Sequence, residues 1–294
     1  MSTTSVEMPC IPFGSHNLSR LMMGSNPINA GSHLSRFVNE QMKRYFTQER
    51  VLAMLSQCEE LEINTWQSGP GNLDLYRAFS EGGGQMHYIS LAQENERNPD
   101  MLERVVEAGA IGVAHHGEVT DVFWHNGEID RAREYCRKIR DTGVMVGVST
   151  HIPAVVEYIV ENDWDVDFFM CCVYERHRSR DKLRELLGDV PIPVREVYLE
   201  GDPPRMYAAM RGTDKPCLAF KILAAGRLCD RQEWVEQAFE ATFRQMKDND
   251  AVIVGMYPEY EDQVGINAEY VRRFSGLSQT LAQVGAAAAS VGCG

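Results

Sequence analysis

Apolar positions along this chain follow two alternating rhythms. From about residue 45, stretches with one apolar face at helical spacing are separated by short continuous apolar runs. The stretch 48–60 places Val51, Leu52, Leu55 and Cys58 on one face and predicts a helix, and 63–66 predicts the strand after it. The same pattern predicts helices over 73–80, 99–107, 129–142, 153–161, 179–187, 231–246, 261–274 and 277–284. Strands are expected over 87–92, 111–114, 144–148, 166–173, 217–222 and 251–254, with a strand-like run at 194–199. The run 166–173 is almost unbroken in its apolarity, as a strand buried on both faces requires. Repeated strand–helix units imply a parallel sheet, and their number in 294 residues fits a closed (β/α)8 TIM barrel, which takes about 250 residues. We expect a single α/β domain over 1–294, with extra C-terminal helices and a tail at 285–294 that frays.

Composition narrows the function classes. The net charge of −13 argues against binding nucleic acid through a basic surface. No apolar run reaches the roughly 18 residues of a membrane span, and the first residues lack the charged-then-apolar order of a signal peptide. Eight cysteines are scattered without a CxxC pair or a disulfide-scaffold spacing, which fits a reduced, cytoplasmic setting. Cys171 and Cys172 are neighbours on one strand, so their side chains leave by opposite faces. The expected partner is a small molecule.

The chain opens with Ile11-Pro12-Phe13-Gly14, which can form a hairpin with the first strand, read as 18–24. Further on stand Glu62-Ile63-Asn64-Thr65-Trp66-Gln67-Ser68, Gly147-Val148-Ser149-Thr150-His151, and Ile253-Val254-Gly255 followed by Asn267. In order and spacing these segments resemble the aldo-keto reductases, patchily, from about residue 11 to 272. The resemblance implies a barrel closed below by a hairpin and a mouth carrying Asp, Tyr, Lys and His. Gln67 stands where the Asp is expected. The Tyr is missing from Ser68-Gly69-Pro70-Gly71-Asn72, the nearest, Tyr76, lying within a predicted helix. The strand that should end in Lys reads Tyr88-Ile89-Ser90-Leu91-Ala92-Gln93, and only the His has a counterpart, at His115-His116. Carbonyl reduction without a tuned proton donor loses its acid. The resemblance also places a nucleotide phosphate after the last strand, but that segment, 254–262, carries Glu259, Glu261 and Asp262. Carboxylates there repel a phosphate, so NADPH is not the expected cofactor.

In barrels of this kind the reactive groups stand at the C-terminal ends of strands. Those ends read Gln67, then Gln93 with Glu94, His115 with His116, His151, Cys172 with Tyr174 and Arg176, and Lys221. We expect His115, His116, His151 and Lys221 to be catalytic. Gln67, Gln93, Tyr174, Arg176 and Trp66 are expected to bind substrate, Trp66 by stacking. His115, His151 and Glu94 are one candidate set of ligands for a divalent metal, although neither HxH nor HExxH spacing is present. Arg227 is a further candidate clamp for an anion. The segment 25–47, with Asn26, Asn29, His33, Arg36 and Phe37, is the longest at the mouth and reads as a lid. The leading reading is an isomerase, epimerase or lyase using acid/base chemistry, with or without a metal, on a carbonyl- or sugar-like substrate. Alternatives are an NAD(P)-dependent oxidoreductase with a changed proton donor and a non-catalytic binding barrel.

Overall fold

The computed structural model describes residues 6–192 and 196–284. A two-stranded antiparallel hairpin, β1 (Cys10–Phe13) and β2 (His16–Ser19), precedes eight parallel strands that close into a barrel. In order around the barrel these are β3 (Leu21–Gly24), β4 (Thr65–Ser68), β5 (His87–Ala92), β6 (Ala110–His115), β7 (Met145–Thr150), β8 (Phe168–Cys172), β9 (Cys217–Phe220) and β10 (Ala251–Gly255), the last pairing with β3. The helices are α1 (Arg36–Tyr45), α2 (Gln48–Glu60), α3 (Leu73–Glu81), α4 (Met101–Glu107), α5 (Gly117–His125), α6 (Asp130–Asp141), α7 (Pro153–Glu161), α8 (Arg180–Leu187), α9 (Asp202–Arg211), α10 (Gln232–Gln245) and α11 (Gln263–Phe274). The TIM barrel expected from the sequence is therefore the fold. No described helix is long and apolar enough to cross a membrane. The tail beyond 284 and the first two residues of the strand-like run at 194–199 lie outside the described residues. Residues 196–199 are not in a strand.

Alternation along each strand sorts side chains into two cores. Met22, Ile89, Ala114, Phe168, Met170, Leu218, Ala251 and Ile253 face the barrel axis and join Ile11, Phe13 and Leu18 of the hairpin. The intervening residues, among them Met23, Trp66, Tyr88, Val113, Val148, Phe169 and Cys217, face the helices. Phe13 meets Phe168 edge-on, with ring centroids 4.9 Å apart, and so closes the barrel from below. Room for Phe168 comes from Gly147 on the neighbouring strand, where a Cβ would lie 2.3 Å from the ring. We expect Gly147→Ala to cost about 1–3 kcal/mol by overpacking, read as a lowered denaturation midpoint.

The strand read as 18–24 is broken at Arg20. Leu18 and Ser19 pair with the hairpin partner, whereas Leu21 begins the barrel strand beside Val252. Arg20 is buried and its guanidinium donates to the carbonyls of Asp250 (2.8 Å), Lys247 (2.9 Å) and Ser275 (3.0 Å). Burial lowers its pKa to about 10. This bracket ties the start of β3 to the start of β10, where the barrel closes. Three helices escaped the sequence reading: α1, α5 and α9. The first occupies the end of the segment read wholly as a lid loop, with Ser35 capping it through a bond to the Val38 N–H.

Candidate active site at the barrel mouth

Strand parity decides which candidates meet. His116 shares the axis-facing parity of Gly112 and Ala114, and His151 that of Gly147 and Ser149. Phe220 and Cys172 complete this face on β9 and β8. His115 has the opposite parity. It is buried between the barrel and its helices, stacked on Phe123 with centroids 5.8 Å apart and tilted against Tyr135 at 5.4 Å. Its Nδ1–H donates to Thr120 Oγ1 at 2.7 Å, a hydroxyl that itself donates to the His116 carbonyl. His115 is thus a packing histidine, and the expectation that it is catalytic is corrected. Burial lowers its pKa from 6.5 to about 4. Protonation between those values occurs only in the unfolded chain, so the stability it contributes is complete above 6.5 and is lost as pH falls toward 4. The full effect is about 3 kcal/mol. Urea denaturation from pH 7 to 4 is expected to show this slope and to flatten in His115→Phe.

Trp66 shares the outward parity, packing against Tyr76 and Tyr88, so it offers no stacking face at the mouth. Glu94 is also turned away. It pairs with Lys138 of α6 at 2.6 Å with its side chain about half exposed. The set His115, His151 and Glu94 therefore does not converge, and among the described residues no group of three His, Cys, Asp or Glu is placed to hold a metal ion. Gln93 and Glu94 line a cleft of about 510 Å³ on the flank, together with Glu103, Tyr135 and Lys138. A second cleft of about 370 Å³ runs between Tyr45, Arg50, Pro258 and Asp262. Neither is lined by His116, His151 or Lys221, the last of which meets His33 of the segment 25–35.

At the mouth, His151 follows the last residue of β7, and α5 rises beside it. Its Nδ1–H donates to Asp121 Oδ2 at 2.6 Å. Asp121 also accepts from Thr150 Oγ1 at 2.6 Å and from the His151 backbone N–H at 3.2 Å. Both residues are buried. The carboxylate fixes the tautomer, since it can only accept, and leaves Nε2 with its lone pair. Burial lowers the His151 pKa; Asp121 opposes that shift, while the charges of Arg176 and Lys221 reinforce it. α5 can approach because its first residue is Gly117, where a Cβ would lie 2.8 Å from Ser149 Oγ and 3.3 Å from His151 Cε1. His116 is half-buried, its Nδ1 enclosed without a hydrogen-bond partner, and burial lowers its pKa as well.

Beside the His151–Asp121 pair, after β8 and β9, lies a chain of charged groups. Arg176 is buried and bonds to both Glu118 and Glu196. It is expected from the sequence to bind substrate, and its guanidinium is instead engaged by these two carboxylates. Although burial opposes ionisation, His177, His33 and Arg176 hold the Glu196 carboxyl far below the usual range. Tyr198 donates to the same carboxylate at 2.9 Å and packs on Tyr174 at 5.1 Å. His33 places Nδ1 2.9 Å from Glu196 and Nε2 3.0 Å from Lys221 Nζ. Arg227 stacks on Tyr198 at 4.0 Å and donates to the His33 carbonyl at 3.1 Å, so it anchors the lid. Lys221 is half-buried, and desolvation lowers its pKa. Cys172 is fully buried and pushed up to about 11, a neutral thiol. Gln67 is buried on the axis-facing side and donates to the Ser68 carbonyl at 2.8 Å.

The sequence reading missed Asp121, Glu118 and Glu196. The first two lie on α5, whose signal was present in the apolar spacing of Val119, Val122 and Phe123. Glu196 lies in a proline-punctuated connection with no periodic signal.

No protein-family model matches this chain, and no curated protein matches it. Among solved structures it is similar to a truncated 3-deoxy-D-arabino-heptulosonate 7-phosphate synthase from Thermotoga maritima, with 13% identity over 93% of this chain and 95% of that one and a TM-score of 0.53. A mandelate oxidase variant is similar at 13% identity over 97% of this chain and 84% of that one, with the same TM-score of 0.53. A glycerol dehydrogenase from Gluconobacter oxydans aligns at 13% identity over 98% and 95% of the two chains with a TM-score of 0.48. At these identities the likeness is one of fold, a TIM barrel shared with enzymes.

Proposed function

We propose that this barrel is an acid/base enzyme, an isomerase, epimerase or lyase, acting on a small carbonyl- or sugar-like compound at its C-terminal mouth. The observation that carries the proposal is the His151–Asp121 pair. A buried imidazole is oriented by a carboxylate, its Nε2 is left basic, and it stands at the strand end where such barrels do their chemistry. His116, after the neighbouring strand β6, supplies a second imidazole, and Lys221 a cation or amine within electrostatic reach of His151. Two titratable groups facing one space can divide the roles of base and acid in moving a proton between adjacent carbons.

The resemblance of the sequence segments to aldo-keto reductases motivates the second reading, an oxidoreductase with a histidine donor. One feature weighs against a nucleotide phosphate after the last strand. The first turn of α11, where a phosphate could sit, is already capped by Asp262, which accepts from the Gly265 N–H at 3.0 Å and from Gln57 Nε2 at 2.8 Å. The non-catalytic reading is the third.

Solvent exchange tests the proposal without requiring the substrate in advance. Small hydroxyaldehydes, hydroxyketones and keto acids are incubated with the protein in D2O, and loss of the proton signal beside the carbonyl is followed by NMR. Enzyme-dependent exchange with at least one compound, absent in His151→Ala, supports the reading. No exchange with any compound, but hydride transfer from NADH or NADPH, returns the chain to the oxidoreductases.

A further inference from the structure

We propose that Lys221 is an amine nucleophile that captures a substrate carbonyl as an imine, with His33 and Glu196 as the relay that carries its protons. This rests on the reading of the barrel mouth as the reactive site and gives that site a covalent step and a substrate class, aldehydes or ketones.

The geometry is that of an activated nucleophile: a reactive group, a base in hydrogen-bond reach, and a carboxylate that orients the base. Lys221 Nζ lies 3.0 Å from His33 Nε2, and His33 Nδ1 lies 2.9 Å from Glu196 Oε1. Because the carboxylate accepts from Nδ1–H, Nε2 carries a lone pair and faces the amine. Asn26 Nδ2, 3.3 Å from the same Nε2, is consistent with an acceptor there. No carboxylate forms an ion pair with Lys221 among the described residues, unlike Lys138, Lys182 and Lys247. A lysine kept for its positive charge is usually paired. This one is half-buried; burial, the largest influence, and the cation Arg176 favour the free amine against the opposing pull of Cys172, Glu196 and Glu118, and the net shift is downward.

The backbone points the same way. Lys221 and His33 both take the left-handed conformation, at φ 61° and 57°, and Ala224 and Ala225 follow at 49° and 51°. Such a conformation is strained for a non-glycine residue and persists only where its surroundings enforce it. Two of these strained residues, Lys221 and His33, are the ones whose side chains meet. Gly226, at φ 88°, lets the strand-end loop pass under Leu34, where a Cβ would approach to 3.2 Å. The lid segment is thereby seated with His33 over the amine.

The step balances without an oxidant or reductant. The Nζ lone pair forms the C–N bond, and the carbonyl π pair moves to oxygen. The two Nζ protons pass in turn through His33 Nε2 to that oxygen, which leaves as water. An imine and one water result; a proton taken up from solvent through His33 Nε2 converts the imine to an iminium, whose nitrogen accepts the electron pair when His151 removes a proton from the neighbouring carbon.

The test is reductive trapping at pH 7 with glycolaldehyde and dihydroxyacetone as probes and cyanoborohydride as the reductant, followed by peptide mass spectrometry. The exposed Lys43, Lys138 and Lys182 serve as internal references. Lys221 is expected to be labelled at least about tenfold faster than these, because burial favours its free amine and His33 stands in reach of its proton. His33→Phe and Glu196→Gln are each expected to remove most of that advantage, with an unchanged circular dichroism spectrum and melting temperature showing an intact fold. Labelling of Lys221 at or below the reference rate overturns the proposal, as does full reactivity in both variants. Exchange that depends on His151 without trapping at Lys221 would overturn the imine alone. Trapping without exchange would instead overturn the acid/base role of His151.

Discussion

Asp250→Ala is expected to destabilise the protein by about 3–5 kcal/mol, enough to unfold much of it near body temperature. Asp250 and Lys247 are both wholly inaccessible, at 0% exposure. The carboxylate accepts from Lys247 Nζ at 2.7 Å, from the Lys247 N–H at 2.9 Å and from the Cys217 N–H at 2.9 Å. Lys247 Nζ also donates to the Met210 carbonyl at 2.8 Å. Burial opposes the lysine's charge, but Cys217 and Asp250 together raise its pKa. Removing the carboxylate strands an ammonium in a dry site and orphans two backbone donors beside the Arg20 bracket. Lys247→Met combined with Asp250→Asn removes the charges and keeps an acceptor for the backbone, so the double variant is expected to recover most of the loss. Urea denaturation of the three proteins checks this. A loss below about 1 kcal/mol for Asp250→Ala would mean that the pair is not the keystone of the β9–β10 floor.

The second large effect is on catalysis. His151→Ala is expected to lower proton exchange by about 10²–10⁴-fold, the usual worth of a positioned acid/base group. Asp121→Asn is the sharper variant, because its size and shape are preserved. Its amide can donate to Nδ1, which moves the imidazole proton to Nε2 and removes the base from the side facing the substrate. We expect Asp121→Asn to lose at least about 10²-fold in rate with its melting temperature little changed. The pH profile carries the sign. Burial depresses the His151 pKa below 6.5, so the imidazole stays neutral as the solution passes through the ordinary histidine range. The rate should hold there and fall only at lower pH. An acid limb centred above 6.5 would contradict the environment described for His151.

Much of the frame was legible in the sequence because parallel strands buried on both faces leave continuous apolar runs, and the intervening helices leave an apolar stripe. The site was legible only in part. Adjacent residues on a strand leave by opposite faces; that rule separates Cys171 from Cys172, and applied to His115-His116 it assigns one to packing and one to the mouth. Trp66 and Gln67 divide in the same way. Partners were harder to see than ligand-like residues. Asp121 is a single carboxylate on a short helix, and only folding brings it to His151. Glu196 sits in an irregular connection, and its neighbours Arg176 and His33 come from segments 20 and 163 residues away. Glu94 looked like a ligand from its place after β5, yet the chain turns outward there and Lys138 takes the carboxylate. His33 was visible as part of a lid, whereas its contact with Lys221 depends on left-handed backbone at both residues, which no spacing announces.

The most direct test of the mouth as a proton-transfer site is the D2O exchange screen run side by side on the wild-type protein, His151→Ala and Asp121→Asn. The account predicts exchange beside the carbonyl of at least one small hydroxyaldehyde, hydroxyketone or keto acid in the wild type, and its loss in both folded variants. Exchange that persists at the wild-type rate in His151→Ala would contradict it.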